Sequence, residues 1–285
     1  MANTAILLTS CPDRPGIVHE VTGFILTRGG NIVKINQCTD ATANYFFMRV
    51  EFSLEDFELD RDRIQAAFER AVGVRFDMDT RLYFNDRRHR LCVFVTKETH
   101  CLFDLLQRCV SEEWNAEIAV IISNHEAIRP IAEKFDIPYY YLPIRKDNKP
   151  EQEARQLELI RQYDCSLVIL ARYMQILRDS FLDQCPVEVI NIHHSFLPAF
   201  KGANPYRQAY EKGVKIFGAT SHFVTADLDE GPIIAQDIRR VGHNESLAEL
   251  VRRGKNIEKI VLARAVDLVM HHHVLVFRRR TIVLD

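Results

Sequence analysis

No charge of either sign is in surplus along this chain. Of its 285 residues, 37 are Lys or Arg and 39 are Asp or Glu, a formal net charge of -2, so no polyanion-binding surface is announced. Closely spaced cysteine pairs are missing as well. The seven cysteines, Cys11, Cys38, Cys92, Cys101, Cys109, Cys165 and Cys185, are odd in number, scattered and never spaced C-x-x-C. That pattern speaks against a disulfide framework and a zinc knuckle, and a reducing cytoplasm fits it best. Nor does any apolar run approach the roughly 20 residues that a membrane span requires. The amino-terminal MANTAILLTSCPDRPG has no basic start and too short an apolar stretch for a secretory signal. Repeats, low-complexity tracts and coiled-coil periods are absent. What remains, 47% hydrophobic and 27% charged, is the composition of an ordinary globular protein. Its length suits two domains, at roughly 100 to 200 residues each.

Residues 1–85 predict the element order βαββαβ. TAILLTS is β-prone, and after the turn-forming CPDRPG the apolar Ile17, Val18, Val21, Phe24 and Ile25 recur at helical spacing until Gly29-Gly30 stops the helix. NIVKINQCT and YFFMRVEFS read as strands around the turn DATAN, DRDRIQAAFERAV as a helix, and VRFDMDTRLYF as a closing strand. This is the ferredoxin-like plan, an antiparallel sheet with two helices on one face. Residues 86–90, within the polar run Asn85 to Arg90, read as a linker. Residues 91–285 then alternate apolar strands with helices, including a helix around MQILRDSFL, which predicts a doubly wound, mostly parallel α/β domain. Two further strands, a helix over roughly 246–270 and a terminal hairpin complete it.

Ligands in such sheets sit outside the carboxyl ends of the strands. There the chain places Asn191 and His193, two residues apart and therefore on one strand face. A second polar stretch carries Asp227, Asp229 and Glu230, whose spacing is not that of a calcium loop. His222 reads as structural, packed near the sheet, with lining the site as the alternative. Cys101 and Cys109 read as core, and His271 to His273 as a helix end, because neighbouring helical side chains diverge.

Two resemblances attach to these residues. Asp13-Arg14-Pro15-Gly16-Ile17-Val18 and Gly29-Gly30-Asn31-Ile32 resemble the first turn and helix exit of ACT regulatory domains. That resemblance implies a small effector such as an amino acid held near Asp13, Pro15, Gly16 and Asn31 against a partner subunit. Alternatively these residues only satisfy turn geometry and the domain merely dimerises. NIHHSFLP and GATSHFVTADLDEGPII resemble the two signatures of the formyltransferase fold, and ARYMQIL resembles its folate-binding loop. Asn191, His193 and Asp229 match that family's catalytic trio. Met174, Ile176 and Leu177 match its folate-loop positions, and Ser195 and Gly202 are implied as further substrate contacts.

Val95 to Leu102 contains no glycine, where glycinamide ribonucleotide transformylases carry a phosphate-cradling loop, and no further nucleic-acid-binding domain follows TIVLD. An ACT-like domain joined to a formyltransferase-like domain resembles the formyltetrahydrofolate deformylase family. The resemblance implies hydrolysis of 10-formyltetrahydrofolate to formate and tetrahydrofolate, formate being supplied to purine synthesis. It further implies no metal, no cofactor apart from the folate substrate, no nucleic-acid or membrane partner, and a homo-oligomer formed through the ACT-like domain. Transfer to an unrecognised amine, and a catalytically silent folate or amino-acid sensor, are the alternatives.

Overall fold

The computed structural model describes residues 3–198, 205–242 and 244–285. The chain divides into two compact units. The first comprises the chain up to Arg87 together with His271–Phe277 and Ile282–Asp285. Its elements are β1 (Thr4–Pro12), α1 (Ile17–Leu26), β2 (Ile32–Asp40), β3 (Tyr45–Ser53), α2 (Arg61–Phe68), α3 (Val74–Phe76) and β4 (Asp79–Phe84). The sheet order is β2-β3-β1-β4, antiparallel throughout. Ile17, Val21, Phe24 and Ile25 bury one face of α1 against β1 and β3, where Phe24 meets Phe68 of α2 edge-on at 5.2 Å.

The closing strand begins at Asp79, later than expected. A π-helical turn, Glu69–Gly73, joins α2 to α3, because Phe68, Val72 and Phe76 recur four residues apart and are all buried on the same core.

The other face of this sheet is covered by the end of the chain. Strands β12 (Val274–Phe277) and β13 (Arg280–Val283) form a hairpin. Leu275 and Leu284 pack on Leu8 and Phe47, and Phe277 stacks on Tyr45 with ring centroids 4.7 Å apart. The buried Arg49 donates through Nε and Nη2 to the His271 carbonyl, and His272 stacks on Tyr83. The expected boundaries are therefore corrected. Most of the tail belongs with the first unit rather than with 91–285, since this apolar face needs a cover. Residues 89 and 90 open a strand instead of ending a linker.

The second unit holds β5 (His89–Val95), α4 (His100–Val110), β6 (Ala116–Ser123), α5 (Arg129–Lys134), β7 (Tyr139–Tyr141), α6 (Lys149–Gln162), β8 (Leu167–Ala171) and α7 (Asp179–Leu182). These are followed by β9 (Val189–His193), α8 (Pro205–Glu211), β10 (Ile216–Phe223), β11 (Ile233–Arg240) and α9 (Leu247–Met270). The sheet order is β11-β10-β9-β8-β5-β6-β7. β7, β6, β5, β8 and β9 run parallel, β10 pairs antiparallel with β9, and β11 pairs antiparallel with β10. Leu91 to Val95 are wholly buried, as a strand covered on both faces must be.

The helix expected around MQILRDSFL shrinks to α7. Residues 172–178 form a loop beyond the carboxyl end of β8, with Arg172 and Met174 at φ 64° and 57°. Cys101 and Cys109 lie buried in α4, and all seven cysteines are unpaired. No helix among the described residues is long and apolar enough to cross a membrane.

Candidate active site

β9 and β10 build the centre of the site. Antiparallel pairing sets His222 opposite Asn191 and Thr220 opposite His193, so Asn191 and His222 are cross-strand neighbours. His222 Nδ1–H donates to the Phe223 carbonyl at 2.9 Å, which leaves Nε2 to accept from Asn191 Nδ2 at 3.3 Å. The amide orientation of Asn191 is thereby fixed, with one Nδ2 hydrogen unused among the described residues. Asp229, at φ 56°, brings Oδ1 to 3.2 Å from His193 Nδ1. His193 Nε2 is buried without a hydrogen-bond partner among the described residues.

Asp229 is seated by the return of its loop to the sheet. A Cβ on Gly231 would stand 1.8 Å from the Phe223 carbonyl oxygen, so only glycine lets the chain pass there. Gly231→Ala is expected to shift the loop and misplace Asp229. Turnover should fall roughly 100-fold, as ångström-scale misplacement of a catalytic group does, while the protein remains folded. Steady-state rates beside near-ultraviolet circular dichroism check this, and unchanged turnover would show that the loop does not set the carboxylate.

Helix α6 holds the loop 172–178 in place. Buried Glu153 accepts from the Arg178 backbone N–H at 3.1 Å and from the Arg178 guanidinium. Gln156 Nε2 donates to the Tyr173 hydroxyl at 2.8 Å. Met174, Ile176 and Leu177 then line one side of a cavity of about 190 Å³, with Asn191, His193, His222 and Asp229 on its other walls. Met174 and Ile176 are each 55% exposed, an apolar rim available to a flat ring, whereas Leu177 is buried.

The electrostatics separate the acid from the imidazoles around it. Burial would raise the Asp229 carboxyl, but the His193 imidazole, followed by His222 and His194, outweighs it and holds the group below the ordinary carboxylate range. Burial, reinforced by the Arg172 charge, drops His194 from 6.5 to about 3. Burial also lowers His222, against its bond to the Phe223 carbonyl.

His194 and His222 therefore take a proton more readily unfolded than folded. Their contribution to stability is complete above 6.5 and is lost as pH falls below that value. Each responding group costs roughly 1.4 kcal/mol per pH unit. The urea midpoint should accordingly be lower at about pH 5.5 than at about pH 7.5, and equal midpoints would show that neither imidazole is protected.

Not every expected residue arrives. Ser195 does not line the cavity: after His194 the chain turns onto β10, where the Ser195 carbonyl accepts from Thr220 Oγ1 at 2.9 Å and Leu197 N donates to the same hydroxyl oxygen at 3.0 Å. Gly202 lies outside the described residues. Asp227 is 66% exposed and faces Arg279. In the first unit, Gly16, at φ 96°, opens α1, Asp13 N donates to Asn44 O, and Asn31 O accepts from Ser53 N. These residues are brought to the two ends of α1. Glu153, Gln156 and Gly231 were not singled out by the sequence, although the Gly-Pro step at Gly231 marks a forced turn.

An amide donor, an imidazole and a carboxylate around a cavity at the carboxyl edge of a parallel sheet, in a chain that also carries a four-stranded βαββαβ unit, define an α/β enzyme of the formyl-transfer class. Comparison with known proteins agrees. The formyl transferase model matches residues 89–266 and the ACT domain model residues 5–69. A formyltetrahydrofolate deformylase from Synechocystis sp. is 48% identical over 280 residues, covering 98% of this chain and 98% of its own. The crystal structure of the formyltetrahydrofolate deformylase from Pseudomonas syringae pv. tomato superposes with a TM-score of 0.95 at 41% identity, covering 100% of this chain and 95% of that one. Glycinamide ribonucleotide transformylase 1 from Symbiobacterium toebii is more distant, with a TM-score of 0.66 at 31% identity over 72% of this chain and 98% of its own. The chain belongs to the formyl transferase family and, within it, to the formyltetrahydrofolate deformylases.

Proposed function

We infer that the chain hydrolyses 10-formyltetrahydrofolate to formate and tetrahydrofolate. The observation that carries this reading is the His193–Asp229 pair facing Asn191 across one cavity, under the loop that holds Met174, Ile176 and Leu177. The pterin lies against that loop and the formyl carbon lies between Asn191 and His193. Water adds to the formyl carbon as His193 Nε2 takes its proton, and the carbonyl oxygen becomes anionic. An Nδ2 hydrogen of Asn191 and the Nε2–H that His193 has just gained stabilise that charge, at about 3 to 4 kcal/mol per donor. Asp229 accepts from Nδ1–H and so holds the ring with Nε2 toward the formyl carbon. The bond from carbon to N10 then breaks, and N10 takes up the proton that water gave up, with His193 carrying it. The reading calls for no cofactor besides the substrate.

Release of formate from 10-formyltetrahydrofolate by the pure protein, with no amine present, tests the reaction. Formate production supports it. Silence relieved by an amine would make the protein a transferase, and silence throughout would make it a sensor. The ACT unit supplies regulation, with amino acids as effectors at Asp13, Pro15, Gly16 and Asn31 and a homo-oligomer formed through this unit. The edge strand β2 supports that arrangement, since it exposes Val33 and Ile35 at an unpaired sheet edge. A cytoplasmic setting suits seven unpaired cysteines.

A further inference from the structure

The strand order reverses between β5 and β8, and in open α/β sheets the crevice above such a reversal is where ligands settle. In this chain four polar side chains meet there. Arg172 leaves β8 with its guanidinium 3.5 Å from Glu258 on α9. His100, the first residue of the helix that follows β5, sets Nε2 2.7 Å from the same carboxylate. Tyr206 donates its hydroxyl to the other carboxylate oxygen, and Thr96 Oγ1 ties down the Arg172 carbonyl at 2.7 Å. Glu258 has no exposed surface. Burial would raise its carboxyl, but the His100 bond, the Arg172 charge and the Tyr206 bond keep it below the ordinary range.

Even the helix is adapted to this cluster. Gly254 lies one turn before Glu258, and a Cβ there would stand 2.3 Å from the Tyr206 ring, so the phenol reaches the carboxylate only past a glycine. A glycine inside a helix costs about 1 kcal/mol relative to alanine. Stability does not explain such an arrangement, because apolar groups of the same volume would serve as well or better than a buried ion pair. Metal binding does not explain it either. His100, Cys101 and Glu258 have the composition of a cation site, but Arg172 already brings positive charge to the carboxylate. What singles the cluster out is its position: Arg172 also lines the folate cavity, and Tyr206 faces His194, another of its walls, with ring centroids 6.0 Å apart.

We propose that Arg172, Glu258, His100 and Tyr206 form a plug that fills the second-substrate crevice and so excludes amine acceptors, leaving the formyl carbon open to water. The proposal rests on the hydrolytic reading above and specifies how its acceptor is selected. The transformylase from Symbiobacterium toebii shares the fold, and its name records an amine-bearing substrate on the same kind of sheet. In such a transfer the amine nitrogen bonds to the formyl carbon, the bond from carbon to N10 breaks, and the proton lost by the amine goes to N10. The electron movement is that of hydrolysis, so access alone decides the product.

The test uses the full chain with 10-formyltetrahydrofolate and glycinamide, and measures N-formylglycinamide against formate by mass spectrometry. The wild-type protein should release only formate at every amine concentration. Arg172→Ala should shift the partition toward N-formylglycinamide by roughly tenfold or more, the scale on which pocket volume discriminates substrates. The ratio does not depend on how much of a preparation is folded. If Arg172→Ala does not fold, the milder His100→Asn at the far end of the cluster should show the same shift. Variants that hydrolyse with the wild-type ratio overturn the proposal alone. Wild-type protein that formylates glycinamide, or releases no formate, overturns the hydrolytic reading and the proposal together.

Discussion

Asp229→Asn is expected to lower kcat by a factor of roughly 10² to 10⁴, the range that a positioned acid–base group supplies. The substitution keeps shape and removes charge. His193 would lose the anion 3.2 Å from Nδ1, and with it the partner that fixes the orientation of the ring. Because the carboxyl is held below the ordinary range, the native protein keeps Asp229 ionised down to acid pH, and raising the pH cannot restore the variant. Steady-state formate release on protein with an unchanged melting temperature is the measurement. Near-native turnover would remove Asp229 from the chemistry.

Asn191→Ala should cost a factor of roughly 10² to 10³ in kcat with little change in KM, since the amide is asked to bind an oxyanion that exists only at the transition state. His222 is the reason the loss should be clean. Its ring is fixed by the Phe223 carbonyl as well as by Asn191, so removal of the amide leaves the imidazole in place. An equal rise in KM would instead place Asn191 in ground-state binding.

The parts of this site legible in the sequence are those governed by local periodicity. Asn191 and His193 share a face because a strand has a period of two, and α4 buries Cys101 and Cys109, the two cysteines that read as core. The parts that were not legible depend on distant pairing. His222 borders the cavity only because β10 pairs with β9 in the register that sets it against Asn191; a slip by one residue would turn it away. Ser195 follows the signature residues closely but is drawn off by Thr220, which no spacing announces. The helical run past Val72 was hidden because Val74 and Phe76 are equally good strand residues, and burial of Phe76 decided it. The Arg172 side chain meets a helix that begins 75 positions later, beyond any window of pattern reading.

The carboxy-terminal hairpin has a consequence for anyone dissecting the molecule. The hairpin and the residue after it carry Leu275, Phe277 and Leu284 onto the amino-terminal sheet, so the polypeptide passes from the ACT unit into the formyl transferase unit near Arg87 and comes back after Met270. The two units are thus tethered at both ends of the catalytic segment, like a loop of thread sewn into cloth at two stitches. A single cut at the first junction yields not an independent enzyme but one trailing an oily ribbon with nothing left to cover it.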